Sequence, residues 1–276
     1  MNGELMTADE VRVSPFDLGL AVGWGAFETM PGYDGKVFGL LGHYERLRHS
    51  AGVMEIHVPP VEVIQGAIDE VLGANGLTAG RARIRVSLSG GSYSLFGGGE
   101  AKDARGNVMV NAVAVDEPAE QVKLMVSPFP HNERSGLSGC KSVSYGNNLM
   151  ALRHAISAGA DEAVMLNTAG QLCECATSNI FLVKDGVVLT PPLVSGCLAG
   201  VTRAVVLELA RADGMRVEEC ELTAVDVQGA DEVFLTSSTR EVQSAVMHDG
   251  AAAPVGAVTG RLAALYRERV GEELGI

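Results

Sequence analysis

Apolar positions recur along this chain with two periods, and the period changes from segment to segment. Arg81 to Ser89 alternates charged or polar residues with Ala82, Ile84, Val86 and Leu88, the rhythm of a half-buried strand, and it runs into Gly90-Gly91. From Val61 to about Leu72 the apolar residues Val63, Ile64, Ala67, Ile68 and Leu72 return at helical spacing, which predicts a helix packed on a sheet. Gly25 to Met30, a turn at Tyr33-Asp34-Gly35-Lys36, and Val37 to Leu41 predict a hairpin, followed by a helix carrying His43, Arg46 and Ser50. Further strands are predicted at Val108 to Val115, Val122 to Ser127, Ala163 to Leu166, Ile180 to Val183 and Glu232 to Thr236, with a turn at Lys184-Asp185-Gly186. Helices are predicted from Tyr145 to about Ser157, from Thr202 onward, and from Arg261 to Leu274.

Strands interleaved with helices make this an α/β chain, or α+β where the two kinds segregate. Its 276 residues exceed a typical single domain and suggest two. The expected division is a small N-terminal α/β domain over 1–120, an interdomain connection over 121–135 and a C-terminal domain over 136–276. Pro128 to Gly139 has the loop composition of such a connection, and the glycine-rich, charged run Gly97 to Arg105 reads as a loop.

Charge narrows the partners. A formal net charge of −13 argues against nucleic acid or an anionic membrane, both of which need a basic face. The expected ligand is small, and an anionic one would be held by local arginines and backbone amides. No apolar run reaches the roughly 18 to 20 residues of a membrane helix, and Met1-Asn2-Gly3-Glu4-Leu5 lacks the basic and apolar regions of a signal peptide, so a cytoplasmic location is expected. Five cysteines stand at 140, 173, 175, 197 and 220 with no histidine at ligand spacing, so neither a disulfide framework nor a metal site is expected; they read as buried thiols. Cys173 and Cys175 flank Glu174 in a strand-like run, so alternation puts both sulfurs on one face and the carboxylate on the other.

Lys141 is one of only five lysines, and it alone sits where a glycine-containing loop meets a helix-like run, in Ser138-Gly139-Cys140-Lys141-Ser142-Val143-Ser144-Tyr145. Lys36, Lys102, Lys123 and Lys184 lie in turns, a polar loop or a strand edge and read as solvated. A lysine at the position of Lys141 either caps the loop or works as a covalent amine.

Four further segments decide between those roles. They are Gly19 to Thr29 with His43-Tyr44-Glu45-Arg46-Leu47; Gly170 to Phe181, containing Cys173-Glu174-Cys175-Ala176-Thr177-Ser178-Asn179; Thr190-Pro191-Pro192 with Leu198-Ala199-Gly200-Val201-Thr202-Arg203; and Phe234 to Val242, containing Thr236-Ser237-Ser238-Thr239-Arg240. With Lys141-Ser142 and Gly159-Ala160-Asp161-Glu162-Ala163, and in this order, the set resembles the class-IV aminotransferases, pyridoxal-phosphate enzymes of fold type IV. That family includes branched-chain and D-amino-acid aminotransferases and 4-amino-4-deoxychorismate lyase. The resemblance runs from about Asn2 to Val246.

The resemblance implies a two-domain fold, a small N-terminal α/β domain and a larger C-terminal domain, with pyridoxal 5'-phosphate between them. It makes Lys141 the Schiff-base amine and the base that moves a proton between the substrate α-carbon and C4′ of the cofactor. Glu174 takes the carboxylate that keeps the ring nitrogen protonated. Arg46, in the His-x-x-Arg-Leu pattern, takes the phosphate through a guanidinium fork. Val201 and Thr202 open a helix whose free N–H groups favour an anion, and Ser237 and Ser238 complete that cup. Thr239 lines the substrate side. Tyr145 is either a cofactor or substrate contact or a partly buried helix residue. Trp24 is either a pocket wall or a core residue.

Substrate choice departs from the familiar branches. The arginine and histidine that follow this strand in D-amino-acid aminotransferases are replaced by Gly90-Gly91-Ser92-Tyr93-Ser94-Leu95. Val22 stands where branched-chain enzymes carry an aromatic residue, Trp24 stands where an acidic residue is frequent, and the later arginine-proline motif is missing. Asn132-Glu133-Arg134 ahead of Lys141 looks most like a bacterial group named variously lyase and aminotransferase. The leading expectation is an aminotransferase passing an amino group from an amino acid or amine to a 2-keto acid, in a homodimer. The alternatives are aminodeoxychorismate lyase chemistry, releasing pyruvate and 4-aminobenzoate, and a non-catalytic protein that binds the cofactor.

Overall fold

The computed structural model describes residues 1–92, 106–250 and 255–276. The loop expected from Gly97 to Arg105, like Tyr93, Ser94 and Leu95, lies outside the described residues. The chain divides into two compact units, Met1–Asp116 with Cys140–Tyr145, and Glu117–Gly139 with Gly146–Ile276. This differs from the division expected from composition. Residues 121–126 form a strand inside the second unit, and 140–145 return to the first.

The first unit is built on an antiparallel sheet in the order β2-β1-β3-β4, with β1 Gly25–Tyr33, β2 Lys36–Val37, β3 Arg81–Ser89 and β4 Val108–Ala114. The β1–β2 turn has Asp34 and Gly35 at φ 47° and 78°, the left-handed pair that a two-residue hairpin loop demands. β2 stops after two residues. Gly39 then adopts a left-handed φ of 67°, and Leu40 and Leu41, read above as strand, begin α2 (Leu40–Val53) instead. A short α1 (Leu18–Val22) precedes β1, and α3 (Val61–Ala74) buries Ile64, Ile68 and Leu72 at four-residue spacing. Val63, one position off that stripe, is exposed.

Residues 141–143 add to the free edge of β1 as a fragment of strand. Phe27 N–H donates to Lys141 O at 2.9 Å, Val143 N–H donates to Gly25 O at 2.9 Å, and Ala26 pairs with Ser142. Lys141 N–H donates to Oγ of the buried Ser50 on α2, also at 2.9 Å. Lys141 is therefore not on a helix. α4 begins at Gly146, one residue after the start expected at Tyr145.

The second unit holds an eight-stranded sheet in the order β10-β9-β8-β11-β12-β5-β6-β7. Its strands are β5 Gln121–Val126, β6 Glu162–Leu166, β7 Leu172–Cys175, β8 Asn179–Lys184, β9 Val187–Thr190, β10 Arg216–Glu219, β11 Glu232–Ser237 and β12 Glu241–Met247. Its helices are α4 (Gly146–Ser157), α5 (Val201–Ala212), α6 (Ala224–Gln228) and α7 (Ala257–Leu274). β7 ends the strand order while β8 is third from the other end, yet only residues 176–178 join them. Such a link reaches roughly 14 Å at most, so the sheet coils back on itself. Leu124, Val164, Ile180, Leu182 and Leu235 fill one core, and the Phe181 and Phe234 rings stack 4.8 Å apart. Cys173, Cys175 and Cys197 are buried, whereas Cys140, in a loop, and Cys220, just after edge strand β10, are partly exposed, which corrects the expectation that all five are buried. No helix among the described residues is long and apolar enough to cross a membrane.

Close approach at β1 fixes one residue type. A Cβ on Gly25 would lie 2.5 Å from Leu88 O and 3.0 Å from Val143 Cγ2. Gly25→Ala should therefore lower stability by about 1–3 kcal/mol, measured by urea unfolding, because a backbone carbonyl cannot move aside as a side chain can.

Candidate active site

In the first unit a buried charge cluster forms where β1 meets α2. Glu28 is fully buried, and both its oxygens are used: Arg46 Nε donates to Oε1 at 2.7 Å and Arg46 Nη2 to Oε2 at 2.8 Å, a bidentate pair. His43 Nδ1 lies 2.7 Å from Oε2. Burial works to raise the Glu28 pKa, but the charge and hydrogen bonds of Arg46, with those of His43, outweigh it and bring the carboxyl down to about 2. An ionised Glu28 only accepts, so His43 Nδ1 carries the hydrogen and donates it. Burial lowers the His43 pKa; Glu28 opposes this, while the charges of Arg46 and Lys141 add to it. The imidazole is accordingly neutral at pH 7.

Lys141 and a second arginine meet on one aromatic ring. Lys141 Nζ is 4.5 Å from the centroid of Phe27, and the guanidinium carbon of Arg85 on β3 is 3.8 Å from it. Tyr145 meets the same ring edge-on at 5.6 Å. Strand pairing produces this gathering: Phe27 is in β1, Arg85 is on the neighbouring strand, and Lys141 arrives on the edge fragment. The turn after α1 belongs here too, because a Cβ on Gly23 would lie 3.1 Å from Ser144 Cα. Val22 is exposed beside it. Trp24 is 39% exposed and donates from Nε1 to Met54 O at 3.2 Å, so it is not a core residue of its unit.

The second unit carries the remaining predicted groups. Glu174, on β7, is 8% exposed, and its Oε2 accepts from Leu198 N–H at 2.9 Å. Alternation along a four-residue strand did not expose it, because both faces of β7 are covered. Asn179 Nδ2 donates to Leu198 O at 2.9 Å, and a Cβ on Gly200 would stand 2.0 Å from Asn179 Oδ1, so only glycine fits there. Gly200 leads into α5 with no side chain capping the first turn, where Val201 and the buried Thr202 stand. Thr236 pairs with Asn179 across the β8–β11 ladder, and the Ser237-Ser238-Thr239 turn follows. Buried Thr236 Oγ1 has no hydrogen-bond partner among the described residues. An uncapped helix start, an unpartnered hydroxyl, a serine turn and a buried carboxylate in one unit suit an anionic, nitrogen-containing ring ligand, and pyridoxal phosphate fits that donor set.

Glu28 and Arg85 have no assigned role in the sequence. Glu28 had a signal, an acidic residue inside Ala26-Phe27-Glu28-Thr29-Met30, where an unpaired carboxylate would be costly. Arg85 had none, since strand alternation alone assigns an arginine to solvent.

The Glu28 cluster predicts acid sensitivity with a defined sign. A carboxyl held at about 2 against an ordinary 4.5 contributes stability that is complete above 4.5 and fades as pH falls toward 2. Urea unfolding across that window should lose roughly 2–4 kcal/mol more in the parent protein than in Glu28→Gln, which has no carboxyl to titrate at this position.

The chain is similar to known proteins over nearly its whole length. The family model for class-IV amino-transferases matches residues 25–246. The branched-chain-amino-acid aminotransferase of Pseudomonas aeruginosa is 33% identical over 285 residues, covering 98% of this chain and 91% of that protein. The crystal structure of a branched-chain aminotransferase from Thermoproteus uzoniensis with norvaline superposes with a TM-score of 0.88 at 30% identity, covering 98% of this chain and 93% of the other. A Legionella pneumophila structure provisionally named 4-amino-4-deoxychorismate lyase gives a TM-score of 0.85 at 26% identity, covering 95% of this chain and 97% of the other. The chain is thus an enzyme with the two-sheet α/β architecture of fold type IV, and it belongs to the class-IV aminotransferase family.

Proposed function

We propose that this chain moves an amino group from an amino acid or amine to a 2-keto acid, using pyridoxal phosphate and Lys141 as its covalent amine. One observation carries the reading: Lys141 Nζ and the Arg85 guanidinium lie 4.5 Å and 3.8 Å from the same Phe27 ring. An amine and a carboxylate-binding cation on one aromatic surface are what an amino-acid substrate needs. Burial, then the neighbouring Arg83, lowers the Arg85 pKa against an opposing pull from Tyr145, so an anion bound there would relieve unfavourable charge.

When bound, the cofactor supplies an electron sink for the substrate α-carbon. Lys141 Nζ would take the proton from that carbon and deliver it to C4′ of the cofactor. Glu174 holds a proton at the ring nitrogen. Arg46, set by Glu28, neutralises phosphate charge, while the amides of Val201 and Thr202 and the hydroxyls of Ser237 and Ser238 supply donors. Tyr145, Val22, Trp24 and Thr239 form the substrate side. The family's habit of pairing subunits supports a homodimer.

A second reading, lyase chemistry on aminodeoxychorismate, draws on the Legionella neighbour and on Asn132-Glu133-Arg134. Both reactions begin with proton removal by the same lysine and differ in what leaves. The reconstituted protein, offered a panel of amino acids, amines and 2-keto acids, should transfer amino groups only when an acceptor is present. Pyruvate and 4-aminobenzoate formed from aminodeoxychorismate without an acceptor would replace the first reading with the second. In Lys141→Ala, borohydride should no longer trap pyridoxal phosphate on the protein, as judged by mass spectrometry; a trapped adduct on another lysine would remove Lys141 from its role.

A further inference from the structure

A second fully buried carboxylate, Glu162, stands outside the groups considered so far. It opens β6, and its three hydrogen-bonding partners come from separate places in the second unit. Ala163 N–H donates to Oε1 at 2.9 Å, while Thr177 Oγ1 and Arg240 Nη2 both donate to Oε2, the latter at 3.3 Å. Thr177 lies in the 176–178 link between β7 and β8, the stretch just after Glu174. Arg240 ends the turn that carries Ser237, Ser238 and Thr239. One carboxylate oxygen therefore ties two hydroxyl-bearing turns together.

Both turns have further anchors, which makes Glu162 the link between two fixed bodies and not a loose tether. Ala176 N–H donates to Ala163 O at 2.9 Å, and Asn148 Nδ2 on α4 donates to Ala176 O at 3.0 Å. On the other side, Arg240 Nη1 donates to Gln243 Oε1 at 2.7 Å, Gln243 Nε2 donates to Ala119 O at 2.5 Å, and Arg240 N–H donates to Ser237 Oγ at 3.3 Å. A buried ion pair adds little net stability, because desolvation opposes the attraction; its clearer effect is to fix geometry. Serine hydroxyls that must meet an anion benefit from that fixing, since a turn already in place loses less freedom on binding.

We propose that Glu162 is a positioning residue for phosphate recognition: by joining Thr177 to Arg240 it holds the Ser237-Ser238 turn in the geometry that receives the cofactor phosphate. This rests on the reading of Ser237 and Ser238 given above. Glu162 touches neither cofactor nor substrate in this role. It acts through Arg240, and its own negative charge would by itself repel a phosphate. Geometry and charge thus predict opposite effects of removing it.

Titration of the cofactor-free protein with pyridoxal phosphate and with pyridoxal separates these effects. In Glu162→Gln the affinity for pyridoxal phosphate should fall by on the order of tenfold, equivalent to about 1.4 kcal/mol, with pyridoxal affinity unchanged. Arg240→Gln should do the same, and the double variant should lose no more than Arg240→Gln alone, because both changes break the Glu162–Arg240 contact. Tighter phosphate binding in Glu162→Gln, or equal losses for the two ligands, would overturn the proposal. Should Glu162→Gln fail to fold by circular dichroism, Arg240→Gln decides on the same criteria. Ser238→Ala tests the underlying reading. If it loses the preference for the phosphorylated ligand while Glu162→Gln and Arg240→Gln keep it, Glu162 has no positioning role; if it keeps the preference, the serine turn is not the phosphate cup, and the proposal falls with that reading.

Discussion

The placement of Lys141 depends on a short piece of β pairing. Two backbone hydrogen bonds to β1, and a third from Lys141 N–H to Ser50 Oγ on α2, fix residues 141–143 against the free edge of a strand. Without them Lys141 would be one more lysine in a glycine-rich loop. With them its amine is delivered to the ring of Phe27, because backbone pairing sets the register and register sets which side chains share a face. The same pairing is why 140–145 belong to the first unit although their neighbours on both sides belong to the second. Gly25 is part of this arrangement, since the crossing of β1, β3 and the 141–143 fragment leaves no room for a Cβ.

Charge is handled locally in a chain whose overall balance is strongly acidic. Glu28 accepts from Arg46 and His43 without access to water, and the cluster leaves the histidine neutral while the carboxylate stays ionised. A guanidinium fixed by a buried bidentate partner keeps one orientation, which a solvated arginine does not. The second unit repeats the device with different residues, where Glu162 fixes Arg240 and the link at Thr177. In each unit a buried carboxylate holds an arginine near groups suited to binding a ligand. The net charge of the molecule says nothing about either.

The longer helices and several strands were legible because one face of each is apolar at a regular period, as in β3 and α3; the five-residue α1 and α6 are too short to show a period. β12 was not legible, because Glu241, Gln243 and Ser244 are buried within it and break the apolar rhythm; Arg267 and Arg240 satisfy the first two from elsewhere in the unit. Leu40 and Leu41 were misread as strand because apolar pairs suit either element, and the left-handed Gly39 decided the matter. Trp24, offered as a possible core residue, remained at the surface of its unit because its ring packs on Gly90 and its N–H reaches Met54 O.

Sequence by itself determined the family, the alternation of strands and helices, and which residues carry reactive groups, because the order and spacing of short motifs survive without knowledge of contacts. Lys141, Glu174, Arg46 and the Thr202 helix start were all named from such motifs. Tertiary structure alone decided which groups meet: the Glu28–Arg46 pair, Arg85 on the Phe27 ring, and Glu162 between two turns. Residues 18, 58 and 78 positions apart come together in those contacts. No local period records that proximity, because strand pairing, not sequence distance, brings them within reach.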